Sequence, residues 1–198
     1  MKWYVVDMNY VSYLRKFETK VQNNNYPGKL KPFVGIVLSV NDLDYYVPVS
    51  SPKKKHRKMK ENIDFIKIED RITRQLYCVI NLNNMIPISN TCVKFLNYSD
   101  VSNYISFESS KAQTNYINLL QNEINIINKK KEIIQSKANK LRNICILHPE
   151  SSLAKRSCDF LLLEQKCQEY SIQLSQTQQP ILPNQIPPVP TNEFTQGI

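Results

Sequence analysis

The residues best suited to chemistry lie in one stretch, Tyr45-Tyr46-Val47-Pro48-Val49-Ser50-Ser51-Pro52-Lys53-Lys54-Lys55-His56-Arg57-Lys58. A strand-like apolar run stops at Ser-Ser-Pro and releases a burst of charge. Lys53 to Lys60 holds five lysines and one arginine and no acid. Two hydroxyls at a strand end beside that much charge suit a phosphodiester, which needs neutralisation and short hydrogen bonds to its oxygens. RNA carries its own nucleophile, the 2′-hydroxyl. A site that cleaves it has only to align that group, move its proton, neutralise the crowded phosphate and protonate the departing 5′-oxygen. Ser50 and Ser51 would supply hydrogen bonds and Lys53 charge, and a lysine among lysines has its pKa lowered, which eases proton transfer. The plainer reading is a Ser-Ser-Pro turn followed by a solvated basic loop that holds RNA through Lys54, Lys55, His56, Arg57, Lys58 and Lys60. Motif chemistry alone favours that plainer reading.

Other chemistries find less support. The chain has only two histidines, His56 and His148. His56 is read either as a substrate contact or as more surface charge, and His148, just before Pro149, as a helix C-terminal cap. The acids Asp42, Asp44, Asp64, Glu69 and Asp70 fall at turns, where solvated caps explain them, so no metal site is expected. With three glycines, neither a Gly-rich phosphate loop nor a GxSxG elbow can be written. Five widely spaced cysteines without a CxxC pair suit reduced, buried thiols in a cytoplasmic protein. No apolar run reaches the roughly 20 residues of a membrane span, and Met1 to Asp7 lacks the apolar core of a signal peptide. The net charge of +9 points to a polyanionic partner, because releasing counterions from phosphates drives such binding.

The elements that must position the stretch read as follows. Lys2 to Asp7 forms a strand, and Asn9 caps a helix with Tyr10, Tyr13, Leu14 and Phe17 on one face. Gln22 to Gly28 is a loop leading into Lys29-Leu30-Lys31-Pro32. Phe33 to Val40 is a strand buried on both faces, and Asn41 to Asp44 turns it into Tyr45 to Val49. Phe65 to Ile68, Gln75 to Leu82, Met85 to Ile88 and Cys92 to Leu96 complete about six short strands in an antiparallel, curved sheet. From Asp100 the apolar period becomes helical across Tyr116 to Cys145, as one helix or as two interrupted at Asn128 and the lysines after it. Asp159 caps a last helix through Phe160, Leu163 and Cys167. The class is α+β. A single domain spans 1–172, and a Pro/Gln-rich tail, 173–198, reads as a poorly ordered extension or arm.

Several stretches together, KWYVVDMNYVSYLRKF, KPFVGIVL, YYVPVSSPKKKH, VINLNNMIPI, KANKLRNI and CDFLLLEQK, resemble the ToxN/AbiQ family of endoribonuclease toxins from type III toxin–antitoxin systems. They occur in family order from Lys2 to about Tyr170 and leave out the tail, and Ser-Ser-Pro-Lys is particularly similar to the abortive-infection members. The resemblance implies a compact twisted antiparallel sheet with flanking helices, related to MazF-like and Kid-like toxins. It implies cofactor-free, metal-independent cleavage of cellular or phage RNA to 2′,3′-cyclic phosphate and 5′-hydroxyl ends. It also implies inhibition by a tandem-repeat antitoxin RNA folded as pseudoknots, which the toxin trims and with which it closes into a ring. Ser51 matches the family's essential serine, Ser50 a neighbouring hydroxyl position and Lys53 a site lysine. Lys31 matches a lysine of the first active-site loop, with Lys29 competing for that place and Tyr26 a further match. The helical lysines Lys129, Lys130, Lys131, Lys137 and Lys140 are read either as antitoxin contacts or as a solvated helix face. A non-catalytic RNA-binding protein and a structural interaction protein are the other function classes the residues leave open.

Overall fold

The sheet is built around two long strands that the sequence makes almost entirely apolar. In a computed structural model, which describes residues 1–24 and 28–177, Phe33–Val40 forms β2 and Leu43–Ser50 forms β3. They join as an antiparallel hairpin through Asn41 and Asp42, at φ 50° and 59°. Asn and Asp take this left-handed conformation at low cost, which is why two residues suffice for the turn. Around the hairpin lie β1 (Lys2–Val6), β4 (Phe65–Glu69), β5 (Leu76–Asn81), β6 (Ile86–Ile88) and β7 (Val93–Phe95). The strand order is β4-β5-β3-β2-β1-β7, with β6 also on β3, and every pairing is antiparallel. Among the described residues the sheet has seven strands, one at each stretch the sequence marks as a strand. On the side away from β2, β3 pairs first with β6 at Asp44 to Tyr46 and then with β5 at Val49 and Ser50. Only Gly fits at position 35, because the Tyr46 ring lies where a Cβ would be, 2.2 Å from Cδ1.

Among the described residues six α-helices flank the sheet: α1 (Met8–Leu14), α2 (Lys54–Lys58), α3 (Ser110–Lys129), α4 (Lys131–Leu147), α5 (Ser152–Arg156) and α6 (Phe160–Thr177). The cap of α1 is Asp7, which accepts from the Asn9 amide at 2.7 Å, rather than Asn9 itself. The long helical segment is two helices, broken at Lys130, among the lysines that follow Asn128 where the sequence places the interruption. Lys130 Nζ is held 3.1 Å from Glu61 Oε1 and donates to the Lys67 carbonyl at 2.7 Å, so tertiary anchoring sets the break. Asp159 caps α6, accepting from Leu162 N at 3.1 Å, and α6 runs on to Thr177, past the expected boundary at 172. Residues 178–198, most of the expected tail, lie outside the described residues.

The core contains Trp3, Tyr10, Phe33, Tyr45, Ile66, Ile80 and Phe160, all buried, and each such side chain contributes roughly 1.5–3 kcal/mol of apolar transfer. Two large buried rings satisfy their polar tips: the Trp3 indole donates to the Leu120 carbonyl at 2.9 Å and Tyr10 Oη to the Pro87 carbonyl at 2.6 Å. Beneath β3, Arg142 grips Glu164 with two hydrogen bonds of 2.6 and 2.9 Å, and the Tyr45 hydroxyl donates to the same carboxylate. That buried triad ties α4 and α6 to the middle of β3. Among the described residues no helix is long and apolar enough to cross a membrane.

Candidate functional site at the end of β3

The β2–β3 register decides which residues meet. Phe33 faces Pro48, Val34 faces Val47 and Gly35 faces Tyr46, so continuing the ladder past Phe33 sets Pro32 against Val49 and Lys31 against Ser50. The Val49 amide donates to the Pro32 carbonyl at 3.3 Å, which carries the pairing one step beyond the strand. Lys31 thus stands across from the first hydroxyl of the Ser-Ser-Pro turn, and Lys29 lies two residues farther along, exposed. Lys31 is half-buried and donates to Oε1 of Gln22 at 2.6 Å. Its ammonium is held below the ordinary lysine range, first by burial and then by the positive charge of Lys53. Gln22 carries no sequence signal that marks it as the partner of Lys31.

Ser50 is half-buried as the last residue of β3, and Ser51 beside it is exposed. Pro52 and Lys53 then lead into α2, with Lys53 as its N-cap in an extended conformation. Two reciprocal bonds fix this corner. The His56 amide donates to the Lys53 carbonyl at 2.9 Å, and the Lys53 amide donates to His56 Nδ1 at 3.1 Å. The His56 ring packs on Phe65, with centroids 5.7 Å apart, and the residue is only 6% exposed. Burial, followed by the charges of Lys55 and Lys53, lowers its pKa and keeps the ring neutral, as an Nδ1 acceptor must be. The expectation that His56 sits on an RNA-facing surface is therefore corrected: its imidazole is a buried brace for Lys53.

The basic burst is a helix rather than a loop. Lys54, Lys55, Arg57, Lys58 and Lys60 are exposed around it, and Lys67, from β4, donates to the Arg57 carbonyl at 2.9 Å and closes its far end. Tyr26 lies outside the described residues. Among the helical lysines, Lys129, Lys131 and Lys140 are exposed. Lys130 and Lys137 are half-buried and engaged within the protein, Lys137 through the Asn62 carbonyl at 2.7 Å. Among the described residues no three His, Cys, Asp or Glu side chains gather where a cation could be held. The corner thus offers two hydroxyls and two lysines around one strand end, braced from below by an imidazole, with a cationic helix beside it. Such an arrangement can hold a phosphodiester and stabilise charge that develops on it.

The chain is similar to known proteins over most of its length. Over 183 residues the chain is 30% identical to an endoribonuclease ToxN from Pectobacterium atrosepticum, covering 90% of this chain and 99% of that protein. It is 28% identical over 180 residues to the endoribonuclease AbiQ of Lactococcus lactis subsp. lactis, covering 86% of this chain and 90% of that one. Among solved structures, one of a bacterial antiviral system regulated by a processed non-coding RNA is similar at a TM-score of 0.72 and 29% identity. It covers 85% of this chain and 98% of its own. A structure of type III toxin inhibition by a non-coding RNA pseudoknot gives a TM-score of 0.73 at 26% identity, covering 86% and 97%. The model of the toxin ToxN family of type III toxin–antitoxin systems matches residues 2–168, and the chain belongs to that family.

Proposed function

We propose that this protein is an endoribonuclease toxin of a type III toxin–antitoxin system, acting at Ser50, Ser51, Lys53 and Lys31 against phage infection. The carrying observation is the β2–β3 register, which sets Lys31 against Ser50 at the strand end that also bears Ser51 and Lys53. The 2′-oxygen attacks phosphorus, the bond to the 5′-oxygen breaks, and the products carry a 2′,3′-cyclic phosphate and a 5′-hydroxyl. The 2′-hydroxyl loses its proton and the departing 5′-oxygen gains one. Lys31 and Lys53 neutralise the phosphate as its charge builds, and Ser51 donates a hydrogen bond to a phosphate oxygen. Lys31, whose ammonium gives up its proton more readily than an ordinary lysine, is the group suited to moving one. No cofactor or metal enters the reaction. Lys54, Lys55, Arg57, Lys58 and Lys60 hold the strand. Exposed Lys129, Lys131 and Lys140 extend the cationic surface toward an antitoxin RNA of tandem pseudoknot repeats, with which the toxin assembles into a ring in the cytoplasm.

Ser51→Ala should fold normally and lose both RNA cleavage and toxicity, and full toxicity of that variant at equal expression overturns the assignment. Cleavage should persist in EDTA and leave cyclic-phosphate ends. Loss in EDTA that magnesium restores points instead to a metal-dependent nuclease. An RNA binder without catalysis leaves the RNA intact.

A further inference from the structure

A cleft opens on the other side of Lys31 from Ser50. The loop that carries Lys29, Leu30 and Lys31 runs across the end of β1 and faces the start of β7, and the space between encloses about 530 Å³. That is the size of a small-ligand pocket. In the sheet the order is β3-β2-β1-β7, and neighbouring strands lie roughly 4.8 Å apart. The end of β1 is therefore about 10 Å from the end of β3, within reach of a neighbouring nucleotide on an RNA strand whose phosphate sits at Ser51. Lysines stand on both walls: Lys29 and Lys31 on the loop, Lys94 on β7. The floor is apolar at Val6 and Val93, and Tyr104 contributes a half-exposed aromatic ring.

Asn24 gives the cleft its chemistry. It lines the cavity and is 8% exposed. Its Nδ2 donates to the Val6 carbonyl at 3.1 Å, which fixes the amide. Its Oδ1 accepts no hydrogen bond from any described residue. An orphaned buried acceptor is costly unless something supplies a donor. Adenine, cytosine and guanine each carry an exocyclic amino group that would do so; uracil has none, and where cytosine carries its amine uracil presents a carbonyl oxygen to Oδ1. We propose that the cleft receives a base of the RNA being cut, adjacent to the scissile phosphate, and that Asn24 Oδ1 selects a base bearing an exocyclic amino group. The proposal rests on the ribonuclease reading above and adds to it a determinant of cleavage sequence.

The test uses the purified full chain and a short RNA whose cut position has been mapped. Amino-bearing bases around the cut are replaced one at a time by analogues without the amine: purine for adenine, inosine for guanine, uracil for cytosine. At one position the wild type should lose about tenfold in kcat/KM, the cost of leaving a buried acceptor unpaired. Asn24→Leu should cut parent and analogue alike, and Tyr104→Ala should raise KM for both by the same factor with kcat unchanged. Equal kcat/KM on every RNA, or undiminished discrimination in Asn24→Leu, overturns the proposal. Should Asn24→Leu fail to fold, Tyr104→Ala decides, and an unchanged KM there overturns it. In parallel, binding of the same series with 2′-deoxyribose at the cut position is measured without turnover. If the cut persists undiminished in Ser51→Ala, as a contaminant's would, but that binding keeps its preference for the amino base, the nuclease reading fails and the base pocket stands. Binding without preference removes the pocket.

Discussion

Replacing His56 tests whether the imidazole braces the site or takes part in its chemistry. In His56→Ala the Lys53 amide loses its Nδ1 partner, now 3.1 Å away, and the Phe65 face loses the ring packed on it. One hydrogen bond contributes about 1 kcal/mol net, and the lost packing of a small buried ring adds about 1–2 kcal/mol. For a domain of this size a loss of about 2 to 3 kcal/mol lowers Tm by about 5–10 °C, readable by circular dichroism. Cleavage should fall by about tenfold or more, because a displacement of roughly 1 Å in a positioned group costs up to about 100-fold. The informative control is His56→Asn, whose Oδ1 occupies the place of Nδ1 and can accept the same bond, while nothing replaces Nε2. Asn should recover most of the stability and most of the rate. If Asn is as inactive as Ala while restoring Tm, His56 acts through Nε2 and is not a brace alone. The sign with pH follows from the lowered pKa. Below the ordinary value of 6.5 the unfolded chain binds a proton that the folded ring resists, so this contribution is complete above 6.5 and is lost as pH falls through the folded value. Wild type should therefore lose stability on acidification in that window relative to His56→Asn.

Arg142→Met should be strongly destabilising, by about 3–5 kcal/mol in urea titrations, because it leaves the Glu164 carboxylate buried with only the Tyr45 hydroxyl as partner. A loss under about 1 kcal/mol would mean that the carboxylate is solvated. Lys129→Ala/Lys131→Ala/Lys140→Ala should keep the wild-type Tm and weaken binding to repeat RNA. The slope of log K against log salt should fall by about 0.7–0.9 for each RNA phosphate that these lysines had neutralised. An unchanged slope would identify these residues as a solvated helix face.

Much of the sheet could be read from the chain because its cues are local. FVGIVLSV and the alternation around Cys78 are strands whatever they pack against. The catalytic candidates were legible only as residue types at a strand end. Their mutual placement was not, because the choice between Lys29 and Lys31 depends on a strand register that the sequence does not print, and a slip by one residue would turn every side chain to the other face. The helix at Lys54–Lys58 was invisible for a different reason. Five consecutive residues bearing four cations repel one another, and what holds them in a turn is His56 on Phe65 and Lys67 on the Arg57 carbonyl, both tied to β4. The missed role of His56 has the same origin, since burial comes from a strand that begins nine residues later. Asp7 displaced Asn9 as a cap for a smaller reason: both residues can cap, and the chain direction at the end of β1 brings the Asn9 amide to Asp7.

The lowered pKa of Lys31 has two causes of unequal weight, and separating them tests the geometry of the site. Burial comes first and the charge of Lys53 second. In the inactive Ser51→Ala background, which avoids degradation of bound RNA, the Lys31 ammonium can be titrated by heteronuclear NMR. Adding Lys53→Met removes a like charge and leaves Lys31 half-buried against Gln22. The titration should therefore move up, toward 10.5, without reaching it. A complete return to 10.5 would make Lys53 the whole cause, and no movement would mean that the two ammonium groups do not face each other across the strand end. The second result would dissolve the arrangement of Lys31, Ser50 and Lys53 around one phosphate, and the first would leave burial with no part in the shift. The intermediate result carries a further consequence: a phosphate bound between the two lysines would raise the Lys31 pKa, so a lysine loosened toward deprotonation in the free enzyme is drawn back to its charged form by substrate. Adding a non-cleavable RNA to Ser51→Ala should then raise the Lys31 titration above its free value, and a fall or no change would place the phosphate elsewhere.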